Sequence, residues 1–318
     1  MVPTAPATVR PGSPQVLAIL GPTASGKTRL SVALARELGG ELVNADSRQA
    51  ISELAIGVCK PTADELGGVK CHGLDWSNLG HPFSAAVYRT LAAAAIEEIA
   101  DRGRTAILVG GTGLYIRALL GGFDFGRVAP TAPRPVTRGA HSDRLDLAAR
   151  AGRDLLRLDP QRALEVDLEN PRRVIRAAEL ARAGARAGQV PPAWSALRIG
   201  CRVGGPELRS RIEARSEHLM ADPLRQEVES LQSQGFSADL LSRSAIGYSE
   251  AVDWARGHCT REEAVDRLVA RSWRYAKAQL TWLRSEPDVV WVDAAVSPDE
   301  MVQQCLAVIP RGPAPRLR

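Results

Sequence analysis

Lysine is scarce in this chain, occurring only at positions 27, 60, 70 and 277, although lysine and arginine together number 41 among 318 residues. No C-x-x-C spacing occurs among the five cysteines, Cys59, Cys71, Cys201, Cys259 and Cys305. That absence argues against a zinc knuckle or a thioredoxin-like redox pair, and Cys71-His72 has no second ligand pair nearby. No apolar run reaches the ~18 residues of a membrane span. The first fifteen residues are rich in Pro, Ala and Thr without an apolar centre, so they read as a loose tail rather than a signal peptide. An odd cysteine count without such a signal reads as free thiols in a reducing compartment. The expectation is a cytoplasmic protein with no membrane partner. No internal repeat is present.

Hydrophobic residues make up 45% of the chain, enough for one large domain or two smaller ones. Net charge is +5 and the pI about 9.2, which favours acidic partners weakly. A uniform arginine bias says little, but residues 172–215 hold ten Arg against three Glu, a local excess. Arg172, Arg173 and Arg176 share one helical face there. That fits contact with a phosphate backbone; a solvated helix surface is the alternative.

The most informative stretch is Gly21-Pro22-Thr23-Ala24-Ser25-Gly26-Lys27-Thr28, after the apolar run Val16–Leu20 and before an amphipathic helix over Thr28–Leu38. Strand, glycine loop and helix in that order make G-x-x-x-x-G-K-[ST] a phosphate-binding loop. Its glycines let successive N–H groups converge on anionic oxygens, and the helix N-terminus adds partial positive charge. Gly21, Thr23, Ala24, Ser25 and Gly26 form the cradle, Lys27 supplies a full charge, and the Thr28 hydroxyl suits Mg²⁺.

A short strand over Glu41–Asp46 ends in an acid followed by Ser47-Arg48-Gln49. In a doubly wound sheet ligands sit beyond the C-terminal strand ends, so Asp46 is placed to face the phosphate loop. A cap on a following helix is the alternative. A long helix is expected over Phe83–Arg102, with Ser84 near its start, and a buried strand over Thr105–Val109. That strand ends in Gly110-Gly111-Thr112-Gly113-Leu114-Tyr115, and a helix continues to Leu120. No Asp follows the strand, unlike the metal-binding acid usual in a P-loop ATPase, which counts against ordinary ATP hydrolysis.

Residues 121–142 look irregular, and Ser142–Gly184 is helical with Pro160 and Pro171 as breakers or first-turn residues. Leu197–Val203 reads as a returning strand, and Pro223 should kink or divide a helical stretch over Glu207–Gln234. Helices over Ala245–Arg256 and Thr260–Arg284 and a strand over Val289–Val292 follow. The organisation expected is a tail (1–15), a first core part (16–120), a helical insertion (121–196), a second core part (197–295) and a C-terminal tail (296–318).

The phosphate loop, A-D-S-R-Q at 45–49 and G-G-T-G-L-Y at 110–115 together resemble the tRNA dimethylallyltransferases, also called tRNA isopentenyltransferases. E-N-P-R-R-V-I-R-A-A-E-L, R-I-E-A-R, A-I-G-Y and Y-A-K-A-Q-L-T-W-L-R extend the match in order over most of residues 16–293. The resemblance implies an α/β fold, a P-loop NTPase-like parallel sheet with helices on both faces and a helical insertion gripping a tRNA anticodon stem-loop. It implies dimethylallyl transfer from dimethylallyl diphosphate to N6 of an adenosine beside the anticodon, with Mg²⁺; a monomer is the expectation, though the sequence does not fix the oligomeric state.

Under that resemblance Asp46 is the general base, Thr112 lies near the reacting groups, and Arg211 or Arg215 neutralises the departing diphosphate. Ser47 and Gln49 face the tRNA adenosine, and the Arg172, Arg173 and Arg176 face tracks its backbone. The chain departs from the family pattern at Val58, where Thr is usual, at Pro223, where Gly is usual, and at Trp273 and Ala278. Transfer to free adenine nucleotides, a small-molecule kinase and a non-catalytic RNA-binding relative are the competing readings.

Overall fold

The computed structural model describes residues 15–81, 83–121, 123–124, 141–185, 188–189 and 194–309. Of the expected N-terminal tail only Gln15 falls among them. The elements begin with β1 (Gln15–Leu20), α1 (Lys27–Leu38), β2 (Glu41–Asn44), α2 (Ala63–Leu66) and β3 (Cys71–His72). Next come α3 (Ala85–Asp101), β4 (Ala106–Gly110), α4 (Gly113–Leu120) and β5 (Phe123–Asp124). Then follow α5 (His141–Leu158), α6 (Pro160–Glu165), α7 (Pro171–Arg182), β6 (Gly188–Gln189) and β7 (Ser195–Arg202). The last are α8 (Gly205–Leu219), α9 (Asp222–Ser233), α10 (Ala238–Ser244), α11 (Tyr248–Ala255), α12 (Arg261–Arg284), β8 (Val289–Asp293) and α13 (Pro298–Val308).

Two compact units divide the chain: Met1–Leu120 with Ala193–Arg318, and Gly121–Pro192. The first is organised on a six-stranded sheet in the order β3-β2-β4-β1-β7-β8, with every pair parallel. Val16 of β1 stands opposite Ala106 on one side and Ala196 on the other. Side chains alternate across a strand. Leu17, Ile19, Ile107, Val109 and Ile199 join one buried cluster with Leu30 and Leu34 of α1. Val16, Ala18, Leu20 and Leu108, one residue out of step, are equally buried on the opposite face. Near-continuous apolar strands are what burial on both faces requires.

The second unit has its own small core of Ala151, Leu155, Ala163, Val174, Ala177 and Ala178. Pro160 and Pro171 each occupy a first helical turn, behind the side-chain caps Asp159 and Asn170. In the first unit Pro223 acts as a divider: α8 ends at Leu219 and α9 restarts at Asp222. The expected tail over 296–318 is corrected, because Pro298–Val308 is helical. Ser297 and Glu300 form a reciprocal capping box, and Met301, Val302 and Cys305 are buried in the core cluster.

At the N-terminal end of β2, Glu41 is 2% exposed and carries a charge. Arg102 grips it with two bonds, of 3.1 and 2.7 Å, and His72 Nε2 lies 2.7 Å away. Burial pushes its carboxyl pKa up, but the bonds from Arg102 and His72 outweigh this and hold it below the ordinary value. The ionised group therefore contributes stability that is complete above the unfolded pKa, near 4.3, and is lost as pH falls through the lower folded value. Glu41→Gln is expected to lower stability at pH 7 by about 1.5–3 kcal/mol. It should also flatten the loss of stability below about pH 4, read by urea unfolding across pH. An equal cost at pH 7 and at acid pH would assign the effect to packing.

Candidate active site

β1 ends at Leu20, and the chain turns through Gly21–Gly26 into α1. Gly26, directly before the helix, has φ +81°, a left-handed conformation open to glycine. Ser25 N–H donates to Pro22 O at 3.3 Å and closes the turn. Lys27 Nζ donates to Pro22 O at 3.0 Å, so the lysine lies along the loop. Burial pushes the Lys27 pKa down, the Asp46 carboxylate opposes this, and the Arg215 charge adds to the lowering.

The ends of β2 and β4 are tied together. Ala45 N–H donates to Val109 O at 2.7 Å, Thr112 N–H to Ala45 O at 3.1 Å, and Ser47 N–H to Thr112 Oγ1 at 3.0 Å. Asp46 Oδ1 accepts from Arg48 N–H at 2.9 Å, a side-chain turn. Residues 47–50 form turns, so the helix-cap alternative for Asp46 is overturned. Gln49 Nε2 donates to Val58 O and Cys59 O, at 3.2 and 2.8 Å. Its amide nitrogen is thus committed to a neighbouring loop.

One helix joins the two glycine turns. Gln279 of α12 is 6% exposed; its Oε1 accepts from Thr23 N–H at 2.8 Å and its Nε2 donates to Gly111 O at 3.1 Å. The Tyr275 phenol, one turn earlier, reaches Thr112 and Gln279, and burial pushes its pKa up to about 12. Arg211 and Arg215 approach from α8. Arg211 donates to Glu207 at 2.7 Å, whereas Arg215 makes no ion pair among the described residues.

These elements enclose a cleft of about 880 Å³. Thr23, Ala24, Gly26, Lys27 and Thr28 line it, facing Asp46 and Gln49, and so do Arg211 and Arg215. Gly21 and Ser25 do not. Ser25 is fully buried, and its Oγ lies 2.6 Å from where a Cβ on Gly21 would sit. Ser47 and Thr112 do not line the cleft; their bond ties the ends of β2 and β4 together. In the second unit Arg173 pairs with Asp167 at 3.5 Å and Arg176 with Glu179 at 3.1 Å. The Arg172 side chain lies outside the described residues.

Sequence reasoning missed Gln279 and Tyr275 as site residues, and Glu227, whose carboxylate accepts from the Ala55, Ile56 and Gly57 N–H groups just before the cleft-lining Val58 and Cys59. A signal existed for the first two: Tyr275, Gln279 and Trp282 recur at i, i+4 and i+7 on one face of α12.

A parallel α/β sheet in which β1 opens into a glycine turn, facing an acid just beyond the end of β2, two places along the sheet, defines a P-loop-like α/β protein with a cleft suited to phosphorylated ligands. The comparisons with known proteins narrow this class. The profile of the IPP transferase family matches residues 49–286, and the chain belongs to that family. It is 39% identical over 306 residues to tRNA dimethylallyltransferase 1 of Pelobacter propionicus, covering 93% of this chain and 98% of that one. A tRNA dimethylallyltransferase of a Roseiflexus species is 39% identical over 302 residues, covering 92% and 97%. Among solved structures, the tRNA isopentenylpyrophosphate transferase of Bacillus halodurans superposes with a TM-score of 0.68 at 35% identity, over 92% of this chain and 94% of that one.

Proposed function

We propose that this chain transfers a dimethylallyl group from dimethylallyl diphosphate to N6 of an adenosine next to the anticodon of tRNA. The observation that carries the reading is Asp46, on a strand end across one cleft from Lys27, Thr28 and Arg215. The names of the relatives support the same reaction.

The exocyclic amine is a weak nucleophile because its lone pair is delocalised into the purine, so it must lose a proton as the C–N bond forms. Asp46 accepts that proton. The allylic carbon becomes cationic as the diphosphate leaves, and the greater electrostatic task is to hold the departing charge. Lys27, the loop N–H groups other than those of Thr23 and Ser25, and Arg215 carry that task. Arg211 supports it from the preceding turn of α8, restrained by Glu207. Thr112 holds the Asp46 turn against the second glycine turn through Ser47.

No group of three or more His, Cys, Asp or Glu that could hold a metal occurs among the described residues. The cleft fits Mg²⁺ bound mainly by substrate oxygens, with the Thr28 hydroxyl as the protein ligand. When bound, the ion neutralises diphosphate charge. No helix among the described residues is long and apolar enough to cross a membrane. We assign the protein to the cytoplasm as a monomer.

The test is incubation with labelled dimethylallyl diphosphate and either tRNA or AMP. Label in tRNA is the expected result, and label in AMP alone would replace the acceptor. The compact second unit, which a small acceptor does not require, favours tRNA. The exposed Arg173–Asp167 pair is worth ~0–1 kcal/mol, so Arg173 can exchange its carboxylate for a phosphate, while Arg176 stands one turn on, in a half-buried pair with Glu179. Replacing both with Ala is expected to reduce the slope of log affinity against log salt by roughly 1.5. A slope identical to that of the unmodified protein would move the backbone contacts elsewhere.

A further inference from the structure

Val58 and Cys59 line the cleft from a loop that runs from Ala55 to Pro61 outside any strand or helix. The main anchor of that loop is a side chain about 170 residues away in sequence. Glu227 of α9 accepts from Ala55 N–H at 2.7 Å, from Ile56 N–H at 3.2 Å to each oxygen, and from Gly57 N–H at 3.2 Å. The Tyr248 hydroxyl donates to the same carboxylate at 3.1 Å. Three successive amides converging on one anion form a nest, and each bond is charge-assisted. Tyr248 is fully buried beneath the loop, and a Cβ on Gly57 would lie 2.5 Å from its ring. Cys59 holds φ at +48°, a costly conformation for a residue with a side chain.

The far side of the loop is tied to the catalytic turn. Gln49 donates to Val58 O and Cys59 O, and the turn that carries it closes by Ala50 N–H to Asp46 O at 3.3 Å. One run of contacts therefore leads from α9 through the loop and Gln49 to Asp46. Among the described residues, no other carboxylate reaches these three amides.

The geometry points to Glu227 as a positioning residue for dimethylallyl transfer: it fixes the cleft wall opposite the phosphate loop and, through Gln49, the turn that presents Asp46. This rests on the transfer reaction proposed above. Every group that faces Glu227 here is a donor, so the position requires an acceptor on both oxygens. Glutamine replaces one oxygen with an NH₂ that meets N–H groups head-on. A misplacement of about 1 Å at a reacting centre costs on the order of 100-fold.

Glu227→Gln is therefore expected to slow single-turnover transfer at least about tenfold with both substrates saturating. Amide exchange should show lost protection at Ala55, Ile56 and Gly57, with donor affinity unchanged, since no phosphate-loop N–H contacts this loop. In an Asp46→Asn background the same change should cost under about threefold, because neighbours in one network are not additive. A structural brace unconnected with Asp46 would instead cost the full factor in both backgrounds, and that result overturns the inference. So does a normal rate in a variant whose loop amides have lost protection, or full protection without Glu227. If Glu227→Gln does not fold, Glu227→Asp carries the same comparison with the charge kept and the reach shortened. Failure of the transfer reading itself appears differently, as an unmodified protein that labels no tRNA.

Discussion

A folded Lys27→Ala protein is expected to bind dimethylallyl diphosphate weakly and to transfer the group at least about 100-fold more slowly, the cost of removing one preorganised donor from a developing anion. Folding should survive, because Lys27 contributes one bond to its own loop, while Gln279 and the Ser25–Pro22 turn hold that loop independently. The pH dependence has a definite sign. Burial lowers the Lys27 pKa below the ordinary 10.5, so its charge is lost earlier on the alkaline side than that of an exposed lysine. Donor affinity of the unmodified protein should therefore weaken with rising pH before pH 10.5, and the alanine variant should lack that limb. Titration calorimetry with the donor across pH reads both effects. Unchanged transfer by the folded variant would remove the phosphate-loop assignment.

Asp46→Asn is expected to separate binding from chemistry. Asparagine keeps an oxygen for the Arg48 N–H, so the turn and the tether to Thr112 survive. It cannot take up a proton, and single-turnover transfer should fall by about 10²–10⁴-fold, the usual contribution of a general base. Affinity for tRNA should stay within a few-fold. Because no helix starts at residue 47, capping cannot explain a loss of rate. A rate within about threefold of the unmodified protein, well short of general-base loss, would reduce Asp46 to a turn residue.

The phosphate loop was legible in the sequence because its signal is local: eight residues between an apolar strand and a helix. Asp46 was legible from the same logic, as the acid at the end of the next strand. Pro223 announced the break between α8 and α9 for an equally local reason, its missing N–H. Gln279 and Glu227 were not legible. Their partners lie 256 residues away at Thr23 and about 170 away at Ala55–Gly57, and no spacing rule connects such pairs. Gln49, expected to face the substrate adenosine, lines the cleft with its amide nitrogen bonded to Val58 O and Cys59 O, partners no local pattern announces. The C-terminal helix was missed although Ser297-x-x-Glu300 is a capping signature, because the basic, Pro-rich ending beyond it dominated the reading.

The strand order has a consequence for how the protein is made. β1 is the first strand of the sheet to leave the ribosome, yet one neighbour, β4, begins 91 residues later and the other, β7, begins at Ser195. The brace on Thr23 arrives last, with Gln279. During synthesis at ~5–20 residues per second, the phosphate loop thus exists for roughly ten seconds or more as an unbraced turn beside a half-paired strand. Such long-range closure is slow to form. The fully braced loop is therefore acquired only near the end of translation, and a fragment truncated before Gln279 keeps the local Ser25–Pro22 turn but lacks the bond that holds Thr23.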